Sequence, residues 1–120
     1  IVRGSTEDFG YLFGTSVPQE IYDKHMRKHC DLFICTDSCR PISLFTPNIS
    51  AQYPVEQITT VSTIGAGDNF NAGFVYGVIQ QNLTKTELSA IDEAAWSELI
   101  ASGQSFSKKV CQSIFNYIEK

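Results

Sequence analysis

The chain contains the stretch Thr63-Ile64-Gly65-Ala66-Gly67-Asp68-Asn69-Phe70-Asn71-Ala72-Gly73-Phe74. The β-branched run Ile58–Val61 comes just before it and predicts a strand. Behind the glycines, apolar and small residues recur at helical spacing, which predicts a helix that ends near Asn82. The members of that stripe are Phe70, Gly73, Phe74, Gly77 and Val78. The stretch is therefore predicted to be a glycine turn between a strand and a helix.

Such a turn can bind an anion. Gly65 and Gly67 carry no side chain that would block an approaching anion, and the first amides of a helix have no partner within the helix. A carboxylate at Asp68 would repel a resting anion, but it suits a site where an alcohol loses its proton beside a phosphate. The alternative is a plain strand-to-helix turn in which Asp68 favours the helix N-terminus. The residues alone leave both interpretations open.

The rest of the chain alternates between strand and helix patterns. Strands are predicted at Ile1–Arg3, Leu32–Cys35, Ile42–Phe45 and Ala51–Val55, the last at a sheet edge because Pro54 cannot donate to a ladder. Helices are predicted from Ser5 to Gly14, from Ser16 to about His29, and from Asp92 to Ile118, with a bend or break at Gly103. This alternation predicts an α/β layered fold.

Composition narrows the class of protein. Of the 120 residues, 42% are hydrophobic and 18% are charged, and the net charge is -4. The acidic balance argues against a nucleic-acid surface, which needs clustered Lys and Arg. No apolar run has the length of a membrane span, so no membrane partner is expected. The four cysteines show no CxxC spacing and are predicted to be free thiols of a cytoplasmic protein.

Gly65-Ala66-Gly67-Asp68, followed by Phe70 and Ala72-Gly73-Phe74, resembles the C-terminal signature of the ribokinase-like (PfkB-type) sugar kinases. The resemblance implies a three-layer α/β/α ribokinase-like fold, with residues 1–120 as the C-terminal nucleotide-binding and catalytic portion. It also implies ATP-dependent phosphorylation of a sugar hydroxyl. Gly65, Ala66 and Gly67 would form the anion hole for the γ-phosphate, and Asp68 would be the catalytic base.

Two further segments carry roles from this family. Arg3-Gly4-Ser5-Thr6-Glu7-Asp8 is similar to an element that organises magnesium and its waters, with Asp8 at the acidic position; a capping box between Ser5 and Asp8 is the alternative. Thr36 and Ser38 fall in the strand-turn-strand segment near the nucleotide. Ser38 and Pro41 stand where relatives carry glycine, so a glycine-dependent contact with the nucleotide is not expected here.

The resemblance extends to a third nucleotide-binding candidate, Ser102, in the helix that flanks adenine in relatives; the residues themselves favour the alternative, a small helix-packing residue. Ser62 replaces the Asp that many relatives use in a monovalent-cation site, so potassium activation is not expected.

The implied ligands are ATP, Mg²⁺ and a sugar such as fructose or ribose, while the oligomeric state is left open. A segment of this length is expected to be inactive alone. The alternative function is a non-catalytic module that senses a sugar or nucleotide.

His25 and His29 are four residues apart, with Cys30 adjacent, a spacing that could hold a metal ion. They share a helical stripe with Ile21 and Met26, which favours a partly buried histidine that bonds a backbone carbonyl. Trp96, Phe106, Phe115 and Tyr117 are expected to be core or interface aromatics.

Overall fold

A computed structural model describes residues 1–118 and divides the chain into two compact units, Ile1–Glu56 and Gln57–Lys120. The first unit contains strands β1 (Val2–Ser5), β2 (Phe33–Asp37), β3 (Arg40–Phe45) and β4 (Ser50–Tyr53), with helices α1 (Thr6–Phe13) and α2 (Pro18–Ile21). A π-helical turn, Tyr22–Met26, continues α2. The second unit contains helices α3 (Ala66–Gln80), α4 (Lys85–Leu88) and α5 (Glu93–Cys111).

The four strands form one mixed sheet in the order β1-β2-β3-β4. β1 and β2 are parallel, and Ser5 pairs with Thr36; the other two pairings are antiparallel. Because the carboxyl ends of parallel strands meet at one edge of a sheet, the start of α1 and the end of β2 lie together. β4 lies at a sheet edge within the part of the chain that is described, as predicted.

β1 continues through Gly4 and Ser5 and does not end at Arg3 as predicted, because these two residues pair with Cys35 and Thr36 of β2. A Cβ atom on Gly4 would lie 2.6 Å from the Phe9 ring. Glycine lets the α1 aromatic rest directly on the strand. The capping of α1 is as predicted, with Ser5 at its N-terminus and Gly14 in the left-handed conformation (φ 71°) after its last residue.

The core of the first unit is aromatic. Phe9 meets Phe33 edge-on at 5.3 Å between ring centroids, and Tyr22 stacks on Phe45 at 4.7 Å. These offset and edge arrangements are the favoured geometries for aromatic pairs. The buried members of this core are Phe9, Ile21, Tyr22, Met26, Phe33, Cys35 and Phe45. Leu12, on α1 like Phe9, is exposed.

The second unit is built on close packing between α3 and α5. The predicted stripe of α3 faces inward, with Phe70, Gly73, Phe74 and Gly77 buried. A Cβ atom on Gly103 would lie 2.8 Å from the Phe70 ring. Gly103 therefore lets Phe70 approach α5, and the predicted bend or break there was wrong, because α5 runs unbroken from Glu93 to Cys111. Trp96, Leu99, Ile100 and Val110 complete the buried side of α5.

Two other predictions fail in this unit, and one short helix was missed. Residues Ile58–Val61 are not a strand, because no described strand pairs with them; instead the amides of Val61 and Ser62 donate to the carbonyl of Cys111. The last helix ends at Cys111 and does not continue to Ile118. The short helix α4 was not predicted, although Thr84 and Glu87 form a capping box at its start. Within residues 1–118 no helix has both the length and the apolar character that crossing a membrane requires.

Candidate active site

Gly65 is the N-cap of α3 and adopts the left-handed conformation, with φ 79°. A Cβ atom at this position would lie 3.0 Å from Cβ of Asn116 and 3.2 Å from its carbonyl oxygen. Both the backbone conformation and the lack of space require glycine here. The sequence predicted a tight glycine turn, and the structure shows why the first glycine of the pair is needed.

The backbone amides of the turn divide into occupied and open donors. The amide of Ala66 donates to the carbonyl of Thr63 at 3.2 Å, and that of Asn69 donates to Gly65 at 2.9 Å. Among residues 1–118, the amides of Gly67 and Asp68 have no hydrogen-bond acceptor. These two are the unsatisfied amides that the first turn of a helix offers to a ligand. Of the three residues predicted to form the anion hole, Gly67 therefore has the open donor.

Asp68 occupies the third position of α3 and is exposed. Its carboxylate makes no hydrogen bond or ion pair with any residue that the structure describes. The prediction would have failed if this side chain had been turned inward and bonded into the core. The carboxylate is instead exposed to solvent in the same helical turn as the two open amides. Its role as the catalytic base stays a prediction.

Asn69 makes contacts that were not foreseen from the sequence. Its side-chain amide donates to the carbonyl of Gly65 at 2.9 Å and to the carbonyl of Asn116 at 3.1 Å. It therefore links the residue that starts the turn to a segment 47 residues further along the chain. The signal that could have identified it is an amide side chain directly after the aspartate.

In the first unit, Asp8 takes part in the capping box that was considered as an alternative to a magnesium role. Asp8 Oδ2 accepts from the amide of Ser5 at 3.1 Å and from its hydroxyl at 2.8 Å, while the amide of Asp8 donates to Ser5 Oγ. These hydrogen bonds, chiefly the one from the Ser5 hydroxyl, lower the pKa of the Asp8 carboxyl. The other oxygen, Oδ1, has no partner among the described residues, so the cap leaves one hard oxygen available.

Thr36 and Ser38 lie at the same edge of the sheet as Asp8. The Thr36 hydroxyl donates to the carbonyl of Gly4 at 3.3 Å. Ser38 and Cys39 form a two-residue turn between β2 and β3, and Ser38 adopts φ 50°. This left-handed conformation is the one that glycine favours. Pro41 lies where the register of β2 and β3 shifts, a bulge that tolerates its missing amide.

Asp37 joins this turn to the start of α1. Its carboxylate accepts a hydrogen bond from the buried Thr6 hydroxyl at 2.7 Å and approaches the Arg40 guanidinium at 3.6 Å. Asp37 could not be singled out beforehand, because nothing in a β-strand pattern reports a contact 31 residues away. The contact holds the Ser38 turn close to the Ser5–Asp8 segment.

Ser102 is on α5, where its hydroxyl donates to the carbonyl of Gly73 at 2.7 Å. A Cβ atom on Gly77 would lie 3.1 Å from Cβ of Ser102. The side chain therefore contacts α3 from its second turn onward, and its contacts do not include the residues of the glycine turn. This is the packing role considered for Ser102; a contact with a nucleotide remains a prediction.

The histidines and cysteines form no cluster with these residues. The ring of His25 stacks on Phe13 with 4.0 Å between centroids, and His29 is exposed. No group of three or more potential metal ligands occurs in the described part of the chain. None of the four cysteines forms a disulfide within residues 1–118. Trp96 is buried, as expected of a core aromatic, whereas Phe115 and Tyr117 are largely exposed.

Comparison with known proteins assigns the family. Residues 1–114 match the family described as pfkB family carbohydrate kinase. The chain belongs to this family. A relative named fructokinase, from Rhizobium leguminosarum bv. trifolii, is 33% identical over 97 residues, which are 79% of this chain and 29% of that protein.

Solved structures of carbohydrate kinases share the fold. Aminoimidazole riboside kinase from Salmonella enterica, in complex with aminoimidazole riboside and an ATP analogue, superposes with a TM-score of 0.75 at 23% identity, covering 92% of this chain and 35% of that one. Fructokinase from Vibrio cholerae O395, with fructose, ADP and calcium bound, gives 0.74 at 19% identity, covering 94% and 35%. The predicted α/β ribokinase-like fold class is therefore confirmed. This pfkB family chain spans about a third of the length of these relatives.

Proposed function

We propose that residues 1–120 form the nucleotide-binding and catalytic portion of a carbohydrate kinase that transfers the γ-phosphate of ATP to a sugar hydroxyl. One observation supports this most directly. The open amides of Gly67 and Asp68 and the exposed Asp68 carboxylate occur together at the start of α3. Membership of the pfkB family supports a sugar hydroxyl as the acceptor, and the fructokinase relative makes fructose the first substrate to test.

In the proposed mechanism, Asp68 accepts the proton of the sugar hydroxyl as its oxygen attacks the γ-phosphorus. The bond between that phosphorus and the β–γ bridging oxygen breaks, and ADP leaves. The amide of Gly67, together with that of Asp68, donates hydrogen bonds to the oxygens of the transferring phosphoryl group. Gly65 sets the direction of these amides through its left-handed backbone, and Ala66 contributes the turn but not an open donor.

The first unit supplies the proposed nucleotide and metal contacts. Asp8 would hold Mg²⁺ through a water molecule, using the carboxylate oxygen that the capping box leaves open. A bound magnesium ion would neutralise phosphate charge during transfer. Thr36 and Ser38 would contact the nucleotide, and the left-handed Ser38 supports this because its backbone already has the shape that a glycine would give. Ser102 would bind the nucleotide only if its hydroxyl released the hydrogen bond to the carbonyl of Gly73.

The assignment of Asp68 is tested by Asp68→Asn in the intact protein that contains this chain, with Asp31→Asn as the matched control on an exposed loop residue. The loss of the base should lower kcat by about 10²–10⁴. The affinity for ATP should change little, since the amides remain. Turnover equal to that of the control would refute the assignment. The 120-residue chain assayed alone should transfer no phosphate to fructose.

The second candidate is a module that binds a sugar or nucleotide without turnover. Pro41 and Ser62, which depart from the family pattern, motivate it, but Ser38 no longer does, because its backbone conformation compensates for the missing glycine. An assay of ATP consumption across a panel of sugars separates the two functions. Saturable ATP binding with no phosphate transfer to any sugar would favour the sensor.

A further inference from the structure

The side chain of Asn69 holds two backbone carbonyls at once. Its Nδ2 atom lies 2.9 Å from the oxygen of Gly65 and 3.1 Å from the oxygen of Asn116. Both partners are carbonyl oxygens, which only accept, so the orientation of the amide is fixed with its NH₂ group toward them. Both protons of the NH₂ group therefore have an acceptor.

The contact with Gly65 is reinforced by the backbone. The backbone amide of Asn69 donates to the same Gly65 carbonyl at 2.9 Å. Both lone pairs of this oxygen therefore accept hydrogen bonds from Asn69. The peptide that follows this carbonyl carries the amide of Ala66, and the open amides of Gly67 and Asp68 come next. Fixing the Gly65 carbonyl therefore fixes the direction in which the open donors point.

The contact with Asn116 comes from outside the family pattern. The family match ends at residue 114, so Asn116 belongs to a part of this chain that the match does not include. Its Cβ atom fills the space beside Gly65, where an added methyl group would lie 3.0 Å away. The segment thus contacts the turn twice, by packing on Gly65 and by accepting from Asn69.

We propose that Asn69 is a positioning residue for the anion hole, holding the Gly65 turn against the segment that contains Asn116. The inference rests on the proposed function, because it assigns Asn69 a role in the same reaction. Asn69 does not touch the reacting atoms in this assignment. It acts through the Gly65 peptide, by keeping the Gly67 and Asp68 amides directed at the phosphoryl group.

The test is Asn69→Ala in the intact protein, with Asn71→Ala as the matched control. Asn71 is two residues further along α3 and exposed. Asn71→Ala therefore makes the same substitution on the same helix without removing the two hydrogen bonds to Gly65 and Asn116. Asn69→Ala should lower kcat roughly tenfold, because misplaced groups in a site cost rate steeply, and should leave KM for ATP and sugar within about threefold. Asn71→Ala should behave as the unchanged protein.

A second variant tests the role of the segment. A protein shortened to end at Ile114 loses Asn116 and should show a similar fall in kcat. Combining this change with Asn69→Ala should add little, because two changes that break one interaction are not additive. Hydrogen exchange of residues 63–70, measured by mass spectrometry, should accelerate in both single variants. If Asn69→Ala is insoluble, Asn69→Ser replaces it in the test, because a serine side chain cannot reach both carbonyls.

The outcomes are distinct. A kcat for Asn69→Ala within twofold of Asn71→Ala, or fully additive effects of the two changes, would overturn the positioning role. Running Asp68→Asn in parallel separates this from a failure of the proposed function, since unchanged turnover in Asp68→Asn would remove the reaction itself. If Asp68→Asn lowers kcat and Asn69→Ala does not, only the present inference is lost.

Discussion

The hydroxyl of Ser102 on α5 donates to the carbonyl of Gly73 on α3 over 2.7 Å. This distance is short because the helices are close: a Cβ atom on Gly73 would lie 2.5 Å from the carbonyl oxygen of Ser102 and 2.8 Å from the Phe106 ring. Gly73 thus allows two backbones to approach so nearly that a side-chain hydroxyl reaches across. The helix that begins with the glycine turn is held in place by this packing.

Gly73→Ala should therefore destabilise the protein, although alanine is the better helix former. The gain in helix propensity is about 1 kcal/mol, whereas overpacking against backbone costs about 1–3 kcal/mol, and here the obstacle is a carbonyl that cannot rotate away. Taking the upper part of that cost, about 2–3 kcal/mol, we expect a net loss of roughly 1–2 kcal/mol in the free energy of unfolding, measured by urea titration. Asn71→Ala gains propensity without the contact and should be neutral or stabilising. Equal stability of the two variants would show that α5 can shift to accommodate the added methyl group.

Gly65→Ala and Gly14→Ala form a matched pair, because both glycines have left-handed backbones, with φ 79° and φ 71°. A side chain at Gly14 meets nothing within 4 Å, whereas one at Gly65 meets Asn116. Gly14→Ala should lose about 1–2 kcal/mol of unfolding free energy from backbone strain alone. Gly65→Ala should lose more, and kcat should fall only in this variant. Thermal unfolding and steady-state kinetics measure both, and a fall in kcat for Gly14→Ala would contradict the assignment.

The capping box of Asp8 predicts a pH-dependent stability. Its pKa is lowered in the folded protein by the hydrogen bonds from Ser5. The stabilisation is therefore fully present above the ordinary pKa of an aspartate and is lost as the pH falls through the lower folded-state value. Asp8→Asn should lose about 0.3–1 kcal/mol of unfolding free energy at neutral pH, and this difference should vanish in strong acid. Urea titrations at a series of pH values provide the measurement.

Glu7→Gln is the control for this experiment. It removes the same charge from the same first turn of α1, and the Glu7 side chain has no partner within residues 1–118, so the capping box stays intact. A difference for Asp8→Asn that persisted unchanged into strong acid would mean that its carboxylate does not form the cap in solution.

The cysteines should differ in their reactivity toward iodoacetamide. Cys39 is exposed in the β2–β3 turn, Cys30 is half-buried and Cys35 is fully buried. Burial raises the pKa of Cys30, and raises that of Cys35 to about 12. At pH 8 the thiolate fraction of Cys35 should therefore be far below that of a free cysteine. Mass spectrometry should show that Cys39 is labelled fastest, Cys30 more slowly and Cys35 slowest. Unfolding in urea should abolish these differences in labelling rate. Early labelling of Cys35 would show that β2 is accessible.

Much of the local structure was predictable because it depends on residues that are close in sequence. The Ser5 cap and the Gly14 stop depend on contacts within one helix, and the glycine turn before α3 depends on its own φ angle. Such features follow from side-chain chemistry at fixed offsets. The exposure of Asp68 also follows from its place in the first turn of a helix.

What could not be predicted depends on distant partners. Ile58–Val61 has the composition of a strand but lacks a neighbouring strand among the described residues, and β propensity depends on such neighbours. Gly103 looked like a helix breaker because its role, to receive the Phe70 ring, is set by another helix. Asn69 was overlooked for the same reason, since its partner at Asn116 is 47 residues away.

Ser38 has a practical consequence for recognising related chains. Its backbone takes φ 50° although the residue is not glycine, and the strain of roughly 1–3 kcal/mol for such a residue is tolerated within a short hairpin. A sequence pattern that requires glycine at this position would reject a protein whose backbone already adopts the left-handed conformation there. Screening by backbone angles instead of residue letters would retain such chains.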